Sequence, residues 1–350
     1  MKRLNLSIYT VMHFLVDLSC IFYLFGMVYV QLPGPQMRVY AAIVYNACAF
    51  ALPMLLGLAA DLTGHNALIS MLGCAMIMLI YLVDPQPWAA AVVIGIGNGL
   101  FHIGGGRQVL QDSEAAGVLR YAPSGIFISS GALGVFLGRS LSGNFRHWIF
   151  TALWILLAIC VLILAYTGVR QWSDKARSRL SDQKVRPLML LTSLLIFLVV
   201  VIRSYYGFIA VYSWNHTFTM GLIFTLCIVA GKMAGGILAD RFGVRITIIC
   251  SLAGAGILAL WADQSPVAGC ISICLFNMTM PITLTLLAAV WKALPGFAFG
   301  TLMMALFLGT LPNMVWKVTW LSSPARQLGL CLLSLIALFA AERMTNSPRI

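Results

Sequence analysis

Charged residues are scarce in this chain. Only 9% of its 350 residues are charged, and acidic side chains number ten, whereas about a quarter of residues are charged in soluble domains. Hydrophobic residues make up 61% of the sequence, and the mean hydropathy is +0.95. This composition excludes a soluble globular protein and predicts a protein embedded in a lipid bilayer.

The sequence also lacks the motifs of common catalytic and nucleotide-binding sites. It contains no HExxH, no GxSxG and no GxxxxGKS/T pattern. Its nine cysteines include no CxxC pair and no spacing typical of metal ligands. We therefore expect no enzyme activity, no cofactor and no resident metal, and an ion gradient rather than ATP as the energy source.

Apolar runs of about 20 residues, the length that crosses a bilayer as a helix, recur along the whole chain. These runs lack the alternating polarity of a membrane β-barrel. We predict an all-α integral membrane fold with twelve transmembrane helices. The predicted segments are 6–28, 40–61, 66–83, 88–110, 121–141, 147–169, 187–210, 218–240, 244–262, 265–291, 297–319 and 324–341.

One long charged connection separates the sixth and seventh segments. Residues 170–186 carry six basic side chains, and cytoplasmic loops hold the Lys and Arg excess of membrane proteins. We therefore predict a six-helix bundle at 1–169, a cytoplasmic linker at 170–186 and a second six-helix bundle at 187–350. Both termini are expected in the cytoplasm, and the expected membrane is the bacterial inner membrane. Because the net charge of +12 reflects this topology, nucleic acid is not an expected partner.

A short pattern of glycine and aspartate is repeated in the two halves, each time at the end of an apolar segment. The repeat predicts two pseudo-symmetric bundles, as in many secondary transporters that hold a small molecule at a central site. The residues of the repeat are Gly57, Asp61 and Gly64 in the first copy, and Gly236, Asp240, Arg241, Gly243 and Arg245 in the second.

Ionisable side chains inside apolar segments are energetically costly and are candidate functional groups. His13 and Asp17 are four residues apart on one face of the first segment, His102 lies in the fourth and Arg203 in the seventh. The helical rise per residue places all four near the middle of the bilayer. We expect Arg203 to bind an anionic group, and Asp17 and His102 to carry a coupling proton.

The fourth segment has six glycines between positions 95 and 106. They allow close helix contact and make local unwinding inexpensive, which would expose backbone groups to a ligand. The matching region of the second half, around Asn277, is interrupted by Pro281. Matched broken segments indicate a binding site. The predicted substrate-binding residues are His13, Asn98, Phe101, His102, Arg203, Tyr206 and Asn277.

Structural interpretations of the same residues stay open. His13 could serve only as an interhelical hydrogen-bond partner, and Asp17 could form a structural salt bridge, for example with Arg203. Lys232, in the middle of the eighth segment, could pack at a helix interface rather than contact a substrate.

The repeated motif, the twelve predicted segments and the basic linker resemble those of the major facilitator superfamily. The first half also resembles the fosmidomycin-resistance branch of drug exporters. The residues that carry the second resemblance are His13 and Asp17, the run Gly97-Asn98-Gly99-Leu-Phe101-His102, and Gly125, Gly131, Gly134, Gly138 and Gly143.

The resemblance implies alternating access by two rocking bundles, with proton-coupled export as the usual activity. It also implies that Asp61 and Asp240 latch the cytoplasmic side by pairing with basic groups and a helix N-terminus. The first copy of the motif has Leu62 after the aspartate, and His65 and Asn66 where the superfamily prefers basic residues. A weaker or pH-sensitive latch is therefore expected in the first half.

The function predicted from the sequence is a secondary active transporter, a proton-coupled exporter of a small organic anion or drug, working as a monomer. The alternatives are a symporter for uptake of an anionic nutrient, a divalent metal carrier and a membrane sensor without net transport. His13, Asp17 and His102 are metal-ligand types, but Arg203 and Lys232 at a similar depth would oppose a cation.

Overall fold

The computed structural model describes residues 2–82, 86–114, 120–143, 147–168, 185–318 and 320–347. These residues form helices and short connections, with no β-strand among them. Most of the predicted linker, residues 170–184, lies outside the described part. The helices are α1 Lys2–Tyr23, α2 Tyr29–Gln31, α3 Gly34–Asn46, α4 Pro53–Thr63, α5 Asn66–Leu82, α6 Pro87–Glu114, α7 Ala122–Ser142, α8 His147–Gly168, α9 Pro187–Ile209, α10 Phe218–Phe242, α11 Val244–Ala259, α12 Pro266–Asn277, α13 Thr279–Val290, α14 Pro295–Trp316 and α15 Pro324–Thr345.

Twelve apolar helical stretches run through the described residues. Ten of them are long and apolar enough to cross a membrane, and Asn66–Ile80 and Val244–Ala259 are shorter apolar helices. Three of the long stretches join two helices, over Asn5–Gln31, Gly34–Thr63 and Pro266–Val290. The predicted all-α fold of a multi-pass membrane protein is confirmed.

Proline residues determine where several helices begin and where two of the stretches are interrupted. Proline is favoured in the first helical turn, because the N–H that it lacks would have no partner there. After the π-helical turn Ala47–Ala51, Leu52 N–H bonds to the Ala47 carbonyl at 2.9 Å, and Pro53 follows. The wider turn accommodates the proline ring. Near Pro281, α12 ends at Asn277 and α13 begins at Thr279. The prolines that begin helices are Pro53, Pro87, Pro187, Pro266, Pro295 and Pro324.

The chain divides into two compact units. The first contains the described residues of Met1–Asp112, Ser130–Asp182 and Ala293–Met304; the second contains those of Ser113–Ser129, Gln183–Lys292 and Ala305–Ile350. Within the first unit α5 packs on α8, and within the second α11 packs on α12 and α15. The division into six-helix bundles at 1–169 and 187–350 stays a prediction.

The glycine-rich helix α6 is continuous from Pro87 to Glu114, so the local unwinding expected there is wrong for this structure. Its glycines are used for close packing instead. A Cβ on Gly95 would lie 2.7 Å from Cys48 Cβ, and one on Gly97 would lie 2.8 Å from the Gly73 carbonyl oxygen. Neighbouring backbones therefore approach α6 on two faces. Of the two broken segments predicted, only the one at Asn277 is broken.

Candidate functional site

Three ionisable side chains meet inside the first unit. His13 and Asp17 project from one face of α1, and His102 projects from α6. His13 Nε2 lies 2.9 Å from His102 Nε2 and 3.3 Å from Asp17 Oδ2, and His102 Nε2 lies 3.7 Å from Asp17 Oδ1. All three residues are at most 7% exposed. The sequence predicted a common depth for these three residues and Arg203; the structure brings His13, Asp17 and His102 into contact, and the roles assigned to them stay predictions. We call them the His–Asp cluster.

Asn98, one helical turn before His102, holds two members of this cluster. Its Nδ2 donates to Asp17 Oδ1 at 2.9 Å, and its carbonyl oxygen lies 2.9 Å from His102 Nδ1. A carbonyl can only accept, so His102 Nδ1 carries a proton and donates it to this bond. His102 Nε2 is thereby directed toward His13, and the two Nε2 atoms share one proton. The Asn98 side-chain oxygen has no hydrogen-bond partner although the residue is 1% exposed.

Glycines of α7 form the surface on which the cluster rests. A Cβ on Gly131 would overlap the Asp17 carboxylate and lie 2.5 Å from His13 Nε2. A Cβ on Gly134 would lie 2.5 Å from the Phe14 carbonyl oxygen. A spacing of three residues puts these two glycines on one helix face, and their small size lets α7 contact α1 directly. Phe101 completes the surroundings, with its ring centroid 6.3 Å from that of His13.

Arg203 lies on α9 in the second unit, away in the chain from the cluster. It is 7% exposed, its Nη1 has no hydrogen-bond partner, and it forms no ion pair with a described residue. A buried cation without a counter-charge is costly, because its hydration is lost without replacement. Within the part of the chain that the structure describes, Arg203 is therefore a cation that lacks an anion.

The other predicted site residues of the second unit make local contacts. Tyr206 stacks on Phe276, with ring centroids 4.1 Å apart, and its hydroxyl donates to Gln327 Oε1 at 3.3 Å. Asn277 Nδ2 donates to the Ile273 carbonyl at 2.8 Å, one turn back on its own helix. These contacts fit packing. The substrate-binding role assigned to both residues stays a prediction.

Lys232 on α10 is buried within the second unit. Its Nζ donates to the Ile128 carbonyl at 3.3 Å. A Cβ on Gly125 would lie 2.6 Å from the Lys232 carbonyl, so the two helix backbones are close at this point. The contacts agree with the alternative that Lys232 packs at a helix interface.

The first copy of the repeated motif caps another helix. Asp61 Oδ1 accepts from Gly296 N–H at 2.9 Å, and Oδ2 accepts from Phe297 N–H at 2.8 Å, at the start of α14. A Cβ on Gly57 would overlap the Gly296 carbonyl, so the glycine allows the approach. Gly64, with φ at 78°, ends α4 in the left-handed region that glycine favours. We call this set of contacts the first latch.

The second copy repeats the arrangement within the second unit. Asp240 Oδ1 accepts from Tyr121 N–H and Oδ2 from Ala122 N–H, both at 2.9 Å, at the start of α7. A Cβ on Gly236 would lie 2.5 Å from the Tyr121 carbonyl oxygen, and Gly243 has φ at 91° after α10 ends. We call these contacts the second latch.

Basic residues differ between the latches. In the first, Arg107 Nε donates to Asp61 Oδ1 at 2.7 Å, and its Nη1 donates to Asn66 Oδ1 at 2.5 Å. The expectation of a weak first latch overlooked Arg107, which reaches Asp61 from α6 across 46 positions of sequence. Near the second latch, Arg245 Nε pairs with Glu342 Oε2 at 2.7 Å, and Arg241 lies over the Phe242 ring at 5.5 Å.

Comparison with known proteins rests on structure. No protein-family model matches the sequence, and a search of curated proteins finds no match. The solved structure of FucP, a major facilitator superfamily transporter, in the outward conformation is similar with a TM-score of 0.64, 13% identity and coverage of 98% of both chains. A variant of the E. coli fucose:proton symporter FucP gives a TM-score of 0.62 at 12% identity, covering 99% of both chains.

A third structure, the human organic anion transporter MFSD10, is similar with a TM-score of 0.64 at 13% identity, covering 96% of this chain and 99% of that one. At identities this low the similarity establishes the fold alone, because proteins with unrelated functions can share a fold. The chain therefore has the all-helical fold of the major facilitator superfamily transporters.

Proposed function

We propose that this protein is a secondary active transporter that moves a small organic anion across a membrane. Its fold is shared by a fucose:proton symporter and by a human organic anion transporter, and its apolar helices number twelve among the described residues. The reason for proposing a negatively charged substrate is the buried guanidinium of Arg203, whose Nη1 has no hydrogen-bond partner.

An anionic ligand would supply what Arg203 lacks. The guanidinium is planar and presents two parallel N–H groups, so it binds carboxylates and phosphonates in a bidentate manner. Inside a membrane protein this pairing is strengthened by the low dielectric constant of the surroundings. A neutral or cationic substrate would leave the buried charge of Arg203 without compensation. The proposed substrate is therefore a compact organic acid.

The two latches fit transport by alternating access. If the proposed bundles at 1–169 and 187–350 move as bodies, the bonds of Asp61 to Gly296 and of Asp240 to Tyr121 must form and break in each cycle. Bonds to backbone N–H groups suit this task because they need no side chain on the receiving helix. The coupling proton assigned to Asp17 and His102 stays a prediction from the sequence.

The substrate class can be tested by ligand-induced stabilisation of the purified protein. A ligand that binds the folded state raises its thermal stability by mass action. We expect small carboxylates or phosphonates to stabilise the wild type and to lose this effect in Arg203→Ala. Arg203→Lys, which keeps the positive charge but lacks the two parallel N–H groups of the guanidinium, should retain part of the stabilisation by ligand. The matched control is Arg139→Gln, which removes a different cation, one that lies 5.5 Å from the centroid of the Phe25 ring. This variant should behave like the wild type.

The proposal would be contradicted if organic anions stabilised Arg203→Ala as much as the wild type. It would also be contradicted if only organic cations stabilised the wild type. The direction of transport is a separate measurement, for which we propose export. Accumulation of the stabilising anion in inverted vesicles, and not in right-side-out vesicles, is the expected result. The reverse pattern would show uptake.

A further inference from the structure

The His–Asp cluster has the composition of a transition-metal site. His13, Asp17 and His102 each offer one ligand atom, and these atoms lie within 4.8 Å of one another. Two imidazole nitrogens and one carboxylate oxygen are a frequent set of protein ligands for Zn²⁺. Imidazole favours late first-row metals, whereas Mg²⁺ and Ca²⁺ prefer oxygen ligands only.

The spacing of the three ligand atoms fits tetrahedral coordination. Ligands at 2.0–2.1 Å from a tetrahedral ion are separated by about 3.3 Å from one another. The two Nε2 atoms are 2.9 Å apart, Asp17 Oδ2 lies 3.3 Å from His13 Nε2, and Asp17 Oδ1 lies 3.7 Å from His102 Nε2. These separations bracket the tetrahedral value, and one carboxylate oxygen faces each imidazole, so Asp17 would bind an ion through one or both oxygens after an adjustment of its side chain.

The groups around the cluster match those that support metal ligands. A metal-bound histidine usually donates its other ring N–H to a backbone carbonyl or a carboxylate, which fixes the ring. His102 Nδ1 makes this bond to the Asn98 carbonyl, and Asn98 Nδ2 holds Asp17 Oδ1.

We propose that His13 Nε2, His102 Nε2 and the Asp17 carboxylate bind one divalent transition-metal ion, with Zn²⁺ and Co²⁺ as the fitting class. The ion takes the place of the proton between the two Nε2 atoms. This proton leaves to solvent when one of the two imidazoles is cationic, and passes to His13 Nδ1 when both are neutral, so that each ring binds the ion as a neutral ligand. Three protein ligands leave a fourth position open, as in sites that exchange water or substrate. The site lies within the first unit and does not include Arg203, so metal binding can be tested apart from the anion proposed at Arg203. With an ion bound, Asp17 and His102 could not carry the coupling proton predicted from the sequence.

Co²⁺ is the probe for this site, because tetrahedral Co²⁺ absorbs visible light much more strongly than octahedral Co²⁺. The purified full-length protein is titrated without a histidine tag and in a Cys250→Ser background, since Cys250 is an exposed thiol. We expect one Co²⁺ per chain with the intense tetrahedral spectrum, displaced by Zn²⁺ and not by Mg²⁺. Asp17→Asn and His102→Gln should each weaken binding at least tenfold.

His216→Gln is the matched control, because His216 is exposed and outside the cluster. It should titrate like the parent protein. Arg203→Ala should also keep Co²⁺ binding while losing stabilisation by organic anions, which separates this site from the proposed function. A weak octahedral spectrum in the parent protein would overturn the proposal, whatever the folding of the variants. Equal titrations of the parent, Asp17→Asn and His102→Gln would overturn it as well.

Discussion

The carboxylates of Asp61 and Asp240 make the same pair of bonds, each to two consecutive backbone N–H groups at the start of another helix. Their surroundings differ. Asp61 is 1% exposed and holds Arg107, whereas Asp240 is exposed and binds only backbone donors in the contacts described. The two latches therefore share a geometry but not an electrostatic environment.

This difference predicts unequal costs for the same substitution. Asp61→Asn leaves the buried Arg107 without its anion, and breaking a buried ion pair costs about 3–5 kcal/mol. Asp240→Asn replaces one of two exposed acceptor oxygens by an amide group and keeps the other, so its cost should not exceed that of losing a whole cap, about 0.5–2 kcal/mol. Thermal unfolding in detergent should show the larger decrease for Asp61→Asn, and adding Arg107→Gln to it should recover part of the loss. Equal decreases would contradict the role given to Arg107.

Replacement of Arg203 by an apolar residue should raise the stability of the ligand-free protein. Arg203→Leu removes a buried cation that has no described counter-charge, and an apolar side chain in such a place can add about 1–4 kcal/mol. Arg107→Leu is the opposite control, because it leaves Asp61 buried without its partner and should lower the unfolding temperature. A lower unfolding temperature for Arg203→Leu would mean that Arg203 has a structural partner in the folded protein.

Two glycine-to-alanine substitutions should have opposite effects. At Gly131 the added methyl group overlaps the Asp17 carboxylate, and such overpacking typically costs about 1–3 kcal/mol. At Gly207 on α9 nothing lies within 4 Å of the added group, so alanine should stabilise the helix by up to about 1 kcal/mol. Thermal unfolding compares them, and the Co²⁺ spectrum should be lost only in Gly131→Ala. Similar unfolding temperatures would argue against the close contact of α7 with α1.

Asn98 offers a test of the groups that support the proposed metal site. Asn98→Ala keeps the backbone carbonyl that bonds His102 but removes the amide that bonds Asp17. Loss of such an outer partner typically lowers metal affinity about 10–100-fold. Co²⁺ titration should show this weakening with the tetrahedral spectrum preserved. An unchanged affinity would limit the role of Asn98 to the packing of α6.

Much of the fold and part of the site could be predicted from the sequence, for identifiable reasons. Helix positions follow from apolar length, and the pairing of His13 with Asp17 follows from a spacing of four on one helix. The contact of Arg107 with Asp61 was missed because no local pattern links residues on α6 and α4. Unwinding of α6 was expected from its glycines, but glycine permits close packing as readily as a break, and only the neighbouring helices decide.

In each latch only the acceptor is a side chain, the aspartate carboxylate. Its donors are main-chain N–H groups of Tyr121, Ala122, Gly296 and Phe297, which every amino acid except proline supplies. The side chains of Tyr121, Ala122 and Phe297 can therefore change while the aspartate stays in use, whereas Gly296 must stay small, because a Cβ there would lie 2.5 Å from the Gly57 carbonyl oxygen. A chain of this kind can keep its architecture at 13% identity to FucP, where a comparison of sequences alone has little left to recognise.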